Sequence, residues 1–303
     1  MTTDTLPGAP ARPAETPFRR FLADFFASRL ATIGFVGLLA IVFIAIFAPW
    51  IAPQDPYDLR QLDIMDGRLP PGSESATGGV FWLGTDDQGR DMLSAIMYGL
   101  RTSLAVGFGA SFLALLIGMA AGLVAAYFGG WLESLIMRIV DIQLSFPAIL
   151  IALILLAVLG QGVDKIVLAL VAVQWAYYAR TVRGTALVER RKEYIEAARC
   201  LALGDRRIVF KHLLPNCLPP LIVVATVQVA NSIALEATLS FLGLGMPVTE
   251  PSLGMLISNG FQYMLSGRYW ISIYPGVALI ILIVAINLVG DQIRDQLNPR
   301  LKR

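Results

Sequence analysis

The sequence predicts an all-α polytopic membrane protein with six transmembrane helices and both termini on the cytoplasmic side. Three observations predict it: 56% of the 303 residues are hydrophobic, only 15% are charged, and the charges are gathered between apolar stretches of bilayer length. A mean hydropathy of +0.66 is too high for a soluble domain of this size. The net charge of +2, with no basic tract or folded motif of a nucleic-acid binder, gives no reason to invoke nucleic acid. The surrounding partner is the lipid bilayer.

Each span follows from an uncharged run of about 20 residues and its flanks. The first covers residues 30–52, after Arg19, Arg20 and Arg29, and stops at Pro53; it is too long for the apolar core of a cleaved signal peptide. The second lies within the 31 uncharged residues 102–132, whose Gly107, Gly109, Ala110, Gly118, Ala120, Ala121 and Gly122 allow close helix contact. The third runs over 137–160, with Asp141 near its start and Pro147 within it. The fourth extends from Val163 towards Arg180, with only 14 uncharged residues between Lys165 and Arg180, so it spans by snorkelling of those two side chains. The fifth covers 219–241, interrupted by Glu236, and the sixth 269–290, opened by the interfacial pair Tyr269 and Trp270.

Lys and Arg set the orientation. Eighteen of the 24 lie in the two tails, the link holding Arg138 and the segment from Arg180 to Lys211, against six on the opposite side. The resulting organisation is a flexible cytoplasmic tail (1–29, rich in Pro, Ala and Thr), a first span (30–52) and an extracytoplasmic loop (53–101). A five-helix core (102–290) follows, carrying a cytoplasmic loop at 182–216, and then a cytoplasmic tail (291–303). The extracytoplasmic loop carries eight acidic and four basic residues and reads as a structured cap. Within it, GTDDQGRD (84–91) reads as a turn held by side-chain to backbone bonds rather than a metal site. The second outer loop, 246–270, stands where it can gate the outer mouth or meet a partner.

No phosphate-cradling G-x-x-x-x-G-K-[ST] occurs, His212 is the only histidine, and there is no nucleophile elbow. Catalytic, cofactor and metal residues are accordingly assigned to none. Cys200 and Cys217, 17 residues apart on the cytoplasmic side, read as plain thiols. Asp141 and Glu236 are costly charges inside spans and are candidates for a translocation path or an interhelical pair, together with Gln143, Ser145, Gln174, Tyr177, Gln228, Asn231 and Ser240.

The segment EYIEAARCLALGDRRIVFKHLLPN (193–216) has no apolar run of bilayer length. It reads as two short helices: one starting at Glu196, Ala197 and Ala198, a break at Gly204 and Asp205, then a turn carrying Ile208, Val209 and Phe210, delimited by Pro215. The residues admit two roles: a basic connector lying on the membrane surface, or a surface whose small residues and apolar knob seat in a protein groove.

This segment resembles the EAA loop of ABC importer permeases: Glu196, Ala197, Ala198, Leu214 and Pro215 match in register. The family's glycine position holds Ala202, with Gly204 two residues on, and its hydrophobic position holds His212, as is usual in the peptide branch. WLGTDDQGRDMLSAIMYGLRTSL (82–104), YFGGWLESLIMRIVDIQLSFPAILIAL (127–153), LEATLSFLGLG (235–245) and NLVGDQIRDQLNPRLKR (287–303) are similar to segments of the C-type permeases of dipeptide, oligopeptide and nickel importers. The resemblance implies a type I importer fold in a bacterial inner membrane, with a homologous B-type permease and two cytoplasmic ATPase subunits that bind ATP and Mg. It also implies an extracytoplasmic solute-binding protein. It further implies that Glu196, Ala197, Ala198, Ala202, Gly204, Asp205, Ile208, Phe210, Leu214 and Pro215 couple to the ATPases, with Glu196 to Ala198 as the docking face and the bend between Ala202 and Asp205. Peptides are the implied cargo, and nickel chelates, glutathione and opines are alternatives. The rival class is a stand-alone secondary transporter or channel whose intramembrane carboxylates carry protons.

Overall fold

The computed structural model describes residues 17–58, 60–75, 78–247 and 250–297. Helix α1 (Pro17–Ala27) precedes α2 (Arg29–Ile51), and Ser28 separates them, its hydroxyl accepting from the Ala31 N–H at 3.4 Å. The expected flexible tail is thus corrected over this stretch: the Phe-rich sequence folds as a helix because Phe25 is buried, its ring 5.8 Å from that of Phe35. Residues 1–16 of that tail lie outside the described residues. A two-stranded antiparallel hairpin, β1 (Ser73–Glu74) with β2 (Val80–Phe81), stands in the outer loop.

Helix α3 (Met92–Phe128) is 37 residues long, about 55 Å, and starts nine residues before the expected loop boundary at Arg101. Asp91 sets that start by accepting from the Ser94 N–H at 2.8 Å. Helices α4 (Gly130–Leu144) and α5 (Ala148–Leu159) occupy the expected third span, but they are bent by 91°. Pro147 has no N–H to continue the ladder, and Ser145 closes α4 by donating its hydroxyl to the Asp141 carbonyl at 2.6 Å. The expected third span is therefore a broken one.

Helix α6 (Val163–Glu189) contains the expected fourth span. It leads to α7 (Glu193–Cys200), α8 (Asp205–Arg207), a π-helical turn (Ile208–Leu213) and α9 (Leu214–Phe241). The helical path from Asp205 to Phe241 is unbroken, so the expected separate second helix of the loop is corrected to the first turns of the next span. The wide π turn lies just before Pro215, whose ring crowds the carbonyl four residues back, and the Leu214 N–H reaches Val209 instead. Helix α10 (Leu253–Phe261) and α11 (Trp270–Leu297) complete the chain, so the first residues of the expected C-terminal tail are helical; residues 298–303 lie outside the described residues.

By length and composition, α2, α3, Asp205–Phe241 and α11 can each cross a bilayer, and the bent pair makes a fifth crossing when taken as one. Helix α6, less apolar than these, is compatible with a sixth because its middle is shielded: Ile166, Ala169, Leu170, Val173, Ala176 and Ala179 are all buried. Its longest contact is with α3, and glycine permits it. A Cβ on Gly122 would stand 2.6 Å from the Ala179 carbonyl oxygen, and one on Gly118 would stand 2.6 Å from the Tyr178 Cβ. A second core joins Ile41 and Ala45 of α2, Leu100 and Leu104 of α3, Ile233 of α9, Leu253 of α10 and Leu282 of α11.

Replacing Gly122 with Val is expected to cost about 1–3 kcal/mol through overpacking, read as a lower unfolding temperature of the detergent-purified chain. Gly109→Ala meets open space and should leave that temperature unchanged.

Candidate functional site

The basic segment after α6 is held in place by its own backbone and by two neighbouring helix ends. Helix α7 ends in a Schellman turn: the Leu203 N–H bonds the Ala198 carbonyl at 3.2 Å and the Ala202 N–H bonds the Arg199 carbonyl at 2.9 Å. Ala202 takes the left-handed conformation, φ +52°, at the position where the resembled family carries glycine. The bend is therefore on Ala202 itself and not displaced from it, while Gly204, at φ −64°, merely precedes α8. Beneath the turn, Ile195, Ala198 and Ile208 are buried with Leu203 and Tyr127 packed against them.

Two clamps fix this segment. Tyr127, at the end of α3, donates its hydroxyl to the Asp205 carboxylate at 2.5 Å, and Arg199 lies over its ring at 6.0 Å. At the end of α6, Glu189 accepts from Lys192 at 2.6 Å and from the Tyr194 hydroxyl at 2.7 Å, and Asn216 of α9 donates to that hydroxyl at 3.1 Å. Burial, then the Glu189 bond, pushes Tyr194 up to about 12, so it remains a donor at physiological pH.

These clamps sort the coupling residues the sequence proposed. Ala198 and Ile208 point inward and are corrected from docking surface to support, Leu214 is half-buried, and Pro215 is exposed at the start of α9. Glu196, Ala197 and Phe210 remain exposed, joined by Leu201 at 74% exposure. Leu201 escaped sequence reasoning, although its i+4 spacing from Ala197 already placed the two on one helical face.

The polar residues of the spans divide in the same way. Gln174, Tyr177, Gln228 and Asn231 line an open groove of about 460 Å³ between α5, α6 and α9, with Ala148 and Thr238. Gln174 is anchored there by donating to the Ser232 hydroxyl at 2.7 Å, and Ser232 bonds Ser111 of α3 at 2.7 Å. The other path candidates lie elsewhere. Gln143 donates to the Val173 carbonyl at 3.0 Å and accepts from the Trp175 indole at 2.8 Å, Ser145 caps α4, and Asp141 pairs with Arg180. Glu236 is wholly buried, accepting from Ser103 of α3 at 3.0 Å and from Ser240 at 2.8 Å. Of the two roles the sequence left open for Glu236 and Ser240, the bonds are those of an interhelical lock, which is how a polar group at membrane depth is satisfied.

In the outer loop, GTDDQGRD forms a closed turn. Asp86 accepts from the N–H groups of Gln88 and Arg90 at 2.8 and 2.9 Å and from the Arg90 guanidinium at 2.6 Å. Burial, then the neighbouring Asp86 charge, raises the Asp87 carboxyl. The Trp270 indole donates to the Thr85 carbonyl at 3.2 Å and joins this cap to α11. Among the described residues no group of three His, Cys, Asp or Glu side chains is placed to hold a metal.

Ala202→Gly is expected to stabilise the Schellman turn by about 1 kcal/mol, because a left-handed Ala is strained by about that much; hydrogen exchange of 193–203 reports it as slower exchange. Ala202→Val should speed exchange there. Glu236→Gln, which keeps the hydroxyl bonds, should leave the thermal stability close to that of the unmodified chain, whereas Glu236→Leu should lower it by stranding Ser103 and Ser240.

Residues 114–303 match the family described as binding-protein-dependent transport system inner membrane component, and 16–71 match the N-terminal TM domain of oligopeptide transport permease C. The dipeptide transport system permease protein DppC of Haemophilus influenzae is 36% identical over 95% of this chain and 97% of its own. The glutathione transport system permease protein GsiD of Pectobacterium atrosepticum is 35% identical over 98% and 96%. A solved structure of the MetNI methionine ABC transporter, in an inward-facing conformation, covers 68% of this chain and 98% of the matched chain with a TM-score of 0.55 and 25% identity. The chain therefore belongs to the family of binding-protein-dependent transport system inner membrane components, and it is a multi-pass permease of the inner membrane.

Proposed function

We propose that this chain is the C-type permease subunit of an ATP-driven importer, passing di- or oligopeptides that a solute-binding protein delivers from outside. The observation that carries this reading is the clamped segment 193–216, which holds Glu196, Ala197 and Leu201 outward on a support tied to both α3 and α6. Relatives named for dipeptide transport across nearly the whole chain support a peptide as the cargo. The glutathione permease supports a small peptide in the same class. The chain contributes no catalysis in this reading. ATP and Mg belong to two ATPase subunits, and a homologous B-type permease closes the open groove of Gln174, Tyr177, Gln228 and Asn231 into a path.

The clamps give the mechanism its physical form. ATP binding draws the two ATPases together, and a segment fixed at Tyr127 and Glu189 moves with them as a body, carrying the ends of α3, α6 and α9. Because Asp205–Phe241 is one helical path, displacement of its first turns is delivered to Gln228 and Asn231 without an intervening loop. Hydrolysis resets the pair. A flexible connector in that place would absorb the motion.

Reconstitution with the partner permease, ATPases and binding protein tests the reading: dipeptide uptake into vesicles should require ATP and the loaded binding protein. Uptake that ignores ATP and follows a proton gradient would contradict it. Ala197→Arg should reduce uptake at least tenfold with the chain still folded, because it blocks the exposed face. Ala198→Arg should instead unfold the segment, seen as loss of hydrogen-exchange protection at Ile195 and Ile208.

A further inference from the structure

An apolar groove of about 260 Å³ lies at the Lys- and Arg-rich end of α3, lined by Met119, Leu123, Val124, Phe128, Val209 and Phe210. From Arg101 to Phe128 the helix rises about 40 Å, close to the full bilayer thickness with headgroups. The groove therefore sits at the boundary of acyl chains and headgroups in the cytoplasmic leaflet, the side that carries anionic lipid. Phe128 and Phe210 remain more than 60% exposed beside it, which is unfavourable in water and suited to lipid.

Its rim is charged. Arg206 and Asp205 border the groove, but the Asp205 carboxylate is engaged by the Tyr127 hydroxyl at 2.5 Å. Arg199 stands over the Tyr127 ring, and Arg207 and Lys211 are exposed on the same segment. Arg190 is turned away, donating to the Ala126 carbonyl at 2.8 Å. Arg206 thus borders an apolar slot whose one lining carboxylate is already occupied. We propose that this groove binds one anionic phospholipid, its acyl chain against Leu123, Val124 and Phe210 and its phosphate on Arg206. The lipid would brace the Tyr127–Asp205 clamp from the membrane side.

Native mass spectrometry of the full chain, titrated with phosphatidylglycerol or phosphatidylcholine of equal chain length, tests it. Phosphatidylglycerol should bind about fivefold or more tighter, the gain of roughly one arginine contact at the membrane surface. Arg206→Gln should erase that preference, Arg206→Lys should keep it, and Val124→Trp should weaken both lipids by filling the slot. Equal affinity for the two lipids in the unmodified chain, or a preference that survives Arg206→Gln, overturns the proposal. So does loss of the bound lipid when the partner subunits assemble, because the groove would then be a protein interface.

Discussion

The close approach of α3 and α6 is the contact on which the rest of the molecule depends. Helix α6 carries charge at both ends and too little apolar surface to stand alone in lipid, so its middle must be covered by protein. Gly118 and Gly122 let the α6 backbone come within a distance that any Cβ would forbid. Dispersion over that long seam takes the place of the hydrophobic effect, which gives helices little attraction for each other in a bilayer. Everything at the cytoplasmic end inherits this register. Tyr127 on α3 and Glu189 on α6 stand where they can clamp one segment only because the two helices are fixed side by side.

Charge is handled consistently. Arg183 of α6 donates to Glu133 of α4 at 2.8 Å and Arg180 pairs with Asp141, both near the membrane boundary where side chains are part-exposed. Deeper in the bundle, carboxylate and amide meet serine hydroxyls: Glu236 with Ser103 and Ser240, and Gln174 with Ser232. Serine is small enough to preserve the helix approach while supplying a donor. These bonds stitch α3 to α9 and α6 to α9, so the groove of Gln228 and Asn231 stands on braced helices.

Much of this was legible in the sequence. Uncharged runs located the helices, the glycines of the second span marked the close contact, and GTDDQGRD declared its turn because Asp and Gly have few other uses at that spacing. The EAA register located the segment that emerges as the clamped one. What escaped was direction. Ala198 and Ile208 turn inward because Tyr127, more than sixty residues earlier in the chain, supplies the surface they cover. For Glu236 the sequence left path and interhelical pair open, and Ser103, on another helix, meets it as the pair. Pro147 was visible within the third span, but not the 91° angle, across which α4 and α5 pack separately on α6. Local pattern sets which residues are helical; partners far along the chain set which way they face.

If the ATPase seats on the outer face of α7, as proposed, the chain carries its own probe for it. Cys200 is exposed on α7 and Cys217 is buried in α9, so a thiol reagent reads one site. Maleimide labelling of the purified chain should be fast at Cys200, and assembly with the ATPase subunits should slow it at least tenfold. Equal labelling of the free chain and of a transporter that is fully assembled and active would contradict the account.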